Sequence, residues 1–260
     1  MSIKRMWAVF LRYFYFSAKL DAISDLFYWP AVDIFLWGIT SIWIQQQDAQ
    51  LPGVALAILT GLIFWQIVWR GNYEISVNIL REFWDRNFIN LFSTPLKISE
   101  WMGGVMLLSF FKIIVSLSFG ALLVFLLYAL NVFKMGWAFL PYLGSLALSG
   151  WFIGFITGGI VIYFGQRLQM LAWMLAYVFA PFSAVFYPVS ALPPWGRLIA
   201  KALPMSYIFE GMREVLYKGT WSGRNLAMSY LLNVLYLSLA ISFFIFMFEK
   251  SRVKGLGRLE

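Results

Sequence analysis

Three stretches of this chain, residues 137–164, 168–188 and 226–248, contain not one Asp, Glu, Lys or Arg. Each is long enough to cross the hydrocarbon core of a bilayer as a helix, which takes about 20 residues at a rise of 1.5 Å. Three further runs, 26–44, 54–79 and 101–130, are nearly as apolar. No single water-soluble core could bury all six, so lipid must be the solvent for much of this surface. The runs are continuously apolar and lack the alternation of barrel strands. The expected fold class is therefore an all-α integral membrane domain with six transmembrane helices.

Six spans leave room in 260 residues for loops and little else. Residues 1–260 read as one domain, without internal repeats, linkers or a soluble module. The chain has 0 Cys and 0 His, which removes thiolate and imidazole chemistry, disulfides and the usual zinc ligands. A formal charge of +8 would point a soluble protein towards nucleic acid. Beside so many apolar runs it reads as anchoring to lipid headgroups, and no nucleic-acid partner is expected.

The basic residues also set the orientation. With the N-terminus inside, twelve Lys and Arg fall on the cytoplasmic side and six on the other, while Arg70 and Lys112 lie within spans. Five of the six outside charges belong to one long segment, 191–219, and its neighbour Arg224. Both termini and the segment after span two are therefore expected inside, as in a multi-pass protein of the cytoplasmic membrane.

Three connecting segments carry more than connection. Residues 1–22, "KRMWAVFLRYFYFSAKL" and its flanks, place Arg5, Arg12 and Lys19 seven apart, with Trp7, Phe10 and Phe14 beside them. That pattern predicts an amphipathic helix lying in the membrane interface, not a cleavable signal with an uninterrupted apolar core. Residues 80–95, within "NILREFWDRNFINLFSTPLKISEWMGG", predict a cytoplasmic helix continuous with span two and stopped by Pro95. A mixed-charge helix rigidly attached to a span is a lever on which a soluble partner could push. Residues 191–219, "ALPPWGRLIAKALPMSYIFEGMREVLYKG", are too charged to span and too apolar for an ordinary loop. They predict two short helices, with Arg197, Lys201, Arg213 and Lys218 long enough to snorkel to water.

Charges inside spans are the usual functional suspects. Asp33 in span one and Lys112 in span three fall at similar depths and are expected to pair. Arg70 and Glu74 lie four apart near the end of span two, where a local ion pair with Arg70 snorkelling is expected. "DAISD" offers one carboxylate pair, Asp21 and Asp25, with no second cluster to complete a metal site, and Asp25 reads as a cap for span one. A membrane enzyme of the prenyltransferase kind is thus disfavoured. A secondary transporter is disfavoured by the absence of repeated halves or broken spans.

The order of elements resembles the type-2 ATP-binding-cassette exporter permeases. "STPLKIS" is similar to the Thr/Ser-Pro-hydrophobic turn that precedes span three in that family. "LPMSYIFEG" is similar to its Pro-hydrophobic-x-Tyr element before span six. The stretch "LREFWDRNF" departs from the family pattern, with Glu82 and Arg86 alone echoing it. The resemblance implies that 80–95 is a coupling helix. Arg81, Glu82, Asp85 and Arg86 would then supply charged contacts to an ATPase, and Phe83, Trp84 and Phe88 the packing. It implies that 191–219 forms re-entrant helices gating the external mouth, with Pro193, Trp195, Pro204, Tyr207, Glu210 and Arg213 as gate residues.

The sequence has no G-x-x-x-x-G-K-[ST] loop, so no enzyme activity and no cofactor are expected on this chain. On the resemblance, ATP and Mg belong to a partner, two copies of an ABC ATPase subunit, bound to a homodimer of this chain in a bacterial membrane. The cargo so implied is an amphipathic, drug-like or lipid-linked compound, with a polysaccharide such as O-antigen, capsule or teichoic acid as the alternative.

Overall fold

The computed structural model describes residues 2–16, 20–47 and 53–254, without the side chains of 20–23 and 25. Lys19 therefore lies outside the described residues, and so do the side chains of Asp21 and Asp25. The helices are α1 (Ile3–Phe16), α2 (Leu20–Gln47), α3 (Val54–Trp84), α4 (Phe88–Ser93), α5 (Ile98–Tyr128), α6 (Phe139–Phe164), α7 (Leu171–Phe179), α8 (Pro194–Ala202), α9 (Pro204–Lys218) and α10 (Gly223–Val253). No strand occurs among the described residues. Five helical stretches are long and apolar enough to cross a membrane: Leu26–Gln47, Val54–Trp84, Ile98–Tyr128, Val132–Leu168 and Gly223–Val253. This is an all-α chain with the character of a multi-pass membrane protein.

α3 is the axis of the bundle, buried along nearly its whole length by α2, α5, α6 and α7. By contrast α2, α5 and α10 turn Trp29, Phe35, Leu122, Phe125, Leu231 and Leu239 outward. Such a belt is stable against acyl chains and an aggregation hazard in water. α6 meets α3 through Gly150, Gly154 and Gly158, spaced four apart. A Cβ on Gly150 would lie 2.6 Å from the Val68 carbonyl oxygen and 2.8 Å from Gly71 Cα. Lipid gives helices no hydrophobic reason to associate, so close backbone approach through small residues supplies the attraction instead.

The segment 168–188 departs from the continuous span expected for it. Gly165 ends α6 at φ 70°, ψ −159°, a conformation open essentially to glycine alone. α7 then runs only from Leu171 to Phe179, followed by a 3₁₀ turn over Ala180–Phe182. Pro181 lacks an N–H to extend the ladder, and Ala184 sits at φ 57°, so Ser183–Pro188 is not helical. Apolarity reported the solvent of this segment and not its backbone. The segment still follows α3 lengthwise. Gln169 Oε1 accepts from Trp84 Nε1 at 3.2 Å, and the Val185 carbonyl would lie 2.6 Å from a Cβ on Gly61. Gly61 to Trp84 is about 35 Å of helix.

α1 lies against the start of α5. Val9 and Tyr13 are buried there, and Gly103 and Gly104 leave room for Met6 and Val9. Ile3, Trp7 and Tyr15 face outward.

α8 and α9 form a bent pair joined at Leu203, with Pro204 at the first turn of α9, where its missing N–H costs nothing. Met205, Ile208, Phe209 and Met212, one helical stripe, bury α9 against α6 and α10. The bend is deep. Ser229 Oγ donates to the Pro204 carbonyl at 2.7 Å and Tyr236 Oη to the Ala202 carbonyl at 2.8 Å. Those partners lie about 9–20 Å along α10 from its start.

Candidate functional site

Gln66, Arg70, Glu74, Asn78 and Glu82 follow one another at four-residue steps along α3. That spacing winds them as a stripe around α3 by about 40° per step over about 24 Å, so that its successive members meet different neighbouring helices. Gln66 donates to Asp33 of α2 at 2.9 Å. Arg70 Nη1 lies 3.6 Å from Glu74 Oε1, and Lys112 Nζ of α5 lies 2.7 Å from Glu74 Oε2. The Asn78 amide donates to the Glu74 carbonyl at 2.6 Å and to its Oε2 at 3.4 Å, while Arg81 donates to Asn78 at 3.0 Å. The Arg70 guanidinium also stands 5.0 Å from the ring of Trp69 and 5.4 Å from that of Tyr73, a cation–π arrangement that suits a desolvated charge.

Two expectations are corrected here. Asp33 and Lys112 are not partners: Asp33 pairs with Gln66 and Lys112 with Glu74, about 12 Å apart along α3. Counting residues into each span set a depth but could not show that α2 and α5 enter at different levels. Arg70 and Glu74 are indeed paired, but their side chains are 1% and 2% exposed, so Arg70 does not snorkel. An interior charge is tolerated when it is paired, as these are, and Glu74 Oε2 also accepts hydrogen bonds from Lys112 and Asn78.

At the far end of the stripe Arg12 of α1 meets Glu82, Nε to Oε1 and Nη2 to Oε2, both at 3.0 Å. Beside them Tyr13 accepts from Trp101 Nε1 at 2.8 Å. Burial, reinforced by the charge of Glu82, holds the Tyr13 phenol well above its usual range, so it stays protonated. Arg5 donates to the Pro95 carbonyl at 2.6 Å and pairs with Glu100 at 3.4 Å. α1 thus fastens both ends of the 82–100 connection.

That connection is not one helix over 80–95. α3 stops at Trp84 in a Schellman turn: Asn87 N–H bonds to the Glu82 carbonyl at 2.8 Å and Arg86 N–H to that of Phe83 at 3.1 Å. Arg86 occupies the left-handed position, φ 49°. α4 restarts at Phe88. Of the residues expected to meet a partner, Glu82, Phe83 and Phe88 are instead buried. Phe83 and Phe88 stack at 4.5 Å, and Phe88 approaches Phe248 of α10. Arg81 is half-buried on Asn78. Trp84 stacks on Trp173 while keeping 44% of its surface. Asp85 and Arg86 project freely.

At the opposite end α9 pins the strained 184–189 loop. Arg213 donates to the Ala184 carbonyl at 2.7 Å, and Glu210 accepts from Val189 N–H at 2.6 Å and pairs with Arg213 at 3.2 Å. Arg213 is mostly buried and does not reach freely for water, whereas Arg197 is exposed while its guanidinium donates to the Leu192 and Ser190 carbonyls. Burial lowers the Arg213 pKa, partly countered by Glu210. Pro193 caps α8, Trp195 lies exposed with its ring edge towards Phe182, and Tyr207 donates to the Lys201 carbonyl at 2.8 Å. The six residues expected at an external gate therefore divide. Pro204, Glu210 and Arg213 hold the pair in place, and Trp195 remains at the surface.

No protein-family model and no curated protein matches this chain. Sequence reasoning missed the full stripe and the glycine contact, although both were spelled out: polar residues every fourth position from 66 to 82, and G-x-x-x-G-x-x-x-G over 150–158. No group of three or more Asp or Glu that could hold a metal occurs among the described residues. What the stripe does chemically is hold charge in an apolar interior, with α1, α2 and α5 each tied to the same rod.

Proposed function

We propose that this chain is the membrane-spanning subunit of an ATP-driven exporter of the type-2 ABC permease kind. A second copy completes the pathway, and two separate ATPase subunits, holding ATP and Mg, drive it from the cytoplasmic side. On this reading α2, α3, α5, α6, the 168–188 segment and α10 make six crossings. α1 lies in the inner interface, α4 and both termini are cytoplasmic, and α8 and α9 re-enter from outside. The cargo is an amphipathic compound.

One observation carries the reading. α3 is a single rod of about 46 Å whose one end is the fastened Trp84–Arg86 knuckle. Its other end meets the 184–189 loop and α9, where Gly61 touches the Val185 carbonyl and faces Met212. A push on the knuckle and a movement of the deep helical pair are thus coupled through one helix. Because Glu82 is buried, the charges available to an ATPase are Asp85 and Arg86.

The test is affinity purification of the tagged full chain from its native cells with assay of co-purifying nucleotidase. Asp85→Lys with Arg86→Glu should cut the recovered ATPase at least tenfold without changing membrane insertion, and Lys134→Glu should leave it unchanged. Absence of a nucleotidase from the wild-type material, even after cross-linking, sinks the proposal.

A further inference from the structure

A cleft of about 800 Å³ lies between the start of α3, the 186–188 loop and α9. Its volume falls in the range of about 300–1,000 Å³ typical of small-molecule sites. Ala57 and Ile58 of α3 and Phe186 of the loop supply apolar lining. Phe186 is held by stacking on Trp37 of α2, rings 4.4 Å apart. α9 contributes a single face, where Glu210, Arg213, Glu214 and Tyr217 recur at helical spacing.

The charges on that face are not equivalent. Glu210 and Arg213 neutralise each other at 3.2 Å, and Arg213 is further engaged by the Ala184 carbonyl at 2.7 Å. Lys218 stands exposed at the rim, where water screens it. Glu214 is half-buried and accepts only a neutral donor, the Asn225 amide at 3.3 Å, with no Lys or Arg in ion-pair contact among the described residues. Glu214 is thus a carboxylate of this mixed polar and apolar cleft that no cation among the described residues contacts, and a charge held partly out of water in that way is an incomplete pair. Aromatic faces beside it add attraction for positive charge.

We infer that this cleft binds a lipophilic cation, an apolar body of a few hundred cubic ångströms bearing one delocalised or quaternary positive charge, with Glu214 as its counter-charge and the Ala57, Ile58 and Phe186 wall as its apolar seat. Naming such a cation as cargo rests on the exporter reading. Its binding does not.

The probes are radiolabelled tetraphenylphosphonium and its anionic counterpart of the same shape, tetraphenylborate, with the purified full chain in neutral-lipid nanodiscs and no ATPase. Tetraphenylphosphonium is expected to bind saturably, one per chain, and tetraphenylborate not to compete. Glu214→Gln should weaken binding at least tenfold. Val54→Trp, which fills the cleft mouth and leaves Glu214 in place, should do the same in a chain of unchanged elution profile. Lys218→Gln should tighten binding or leave it unaltered. Equal binding of both probes, wild-type affinity in Glu214→Gln, or weakened binding in Lys218→Gln overturns the assignment. Saturable binding without co-purifying nucleotidase keeps this site and removes the exporter reading. The reverse result removes the site alone.

Discussion

Arg12 and Glu82, 70 residues apart in sequence, meet in a two-pronged ion pair in which both contacts measure 3.0 Å. The Glu82 side chain is 2% exposed and that of Arg12 33%. Arg12→Ala therefore strands a buried charge, at a cost of about 3 kcal/mol, the low end for a broken buried pair because Arg12 keeps some water. Arg12→Lys should recover little, since an ammonium cannot present two parallel donors. Unfolding of the detergent-solubilised chain, titrated with denaturant, measures both. A loss below about 0.5 kcal/mol for Arg12→Ala would show the clamp to be ornamental.

Lys112 answers to Glu74 and not to Asp33. A double-mutant cycle between Lys112→Met and Glu74→Gln should yield a coupling above about 1 kcal/mol, and the same cycle with Asp33→Asn less than about 0.5 kcal/mol. The same unfolding assay reads both cycles. Equal couplings would mean that Lys112 is shared between α2 and α3.

Gly150→Ala drives a methyl group into the backbone of α3, where Val68 O and Gly71 Cα stand at 2.6 and 2.8 Å and cannot give way as a side chain would. The expected cost is about 2–3 kcal/mol, in the range of core overpacking. Gly223→Ala, at the open start of α10 with nothing within 4 Å, should be neutral or slightly stabilising. Thermal aggregation of the two variants, compared side by side, decides it; equal midpoints would refute the close crossing.

What was legible in the sequence was the solvent of each segment. Charge-free runs such as 226–248 locate long helices because the membrane forbids unpaired backbone, so apolarity and helix coincide there. They diverge at 168–188, where the same apolarity covers a short helix and the bend at Ala184, since protein on the surrounding faces can satisfy an irregular backbone. The charged residues were found, but their partners were not. Asp33 and Lys112 looked like a pair because depth is a one-dimensional coordinate, whereas contact depends on which face of α3 each neighbour covers. The coupling residues failed for a related reason: Glu82 and Phe83 share a short string with Asp85 and Arg86, but a left-handed turn at Arg86 divides those facing inward from those facing out.

The four-residue beat of the α3 stripe makes the helix behave like a key in a keyway. Rotation about its own axis would carry Gln66, Glu74 and Glu82 away from α2, α5 and α1 together, so twisting is the costly motion. Sliding by one turn, about 5.4 Å, changes every pairing on the stripe at once. In one direction Lys112 would arrive opposite Arg70, like charge against like, and Asp33 opposite the apolar Leu62. In the other Asp33 would come to face Arg70, but Arg12 would meet Arg86 just past the end of the helix. The spacing of these side chains therefore keeps the rod in a single register, so that it travels together with its neighbours and not past them.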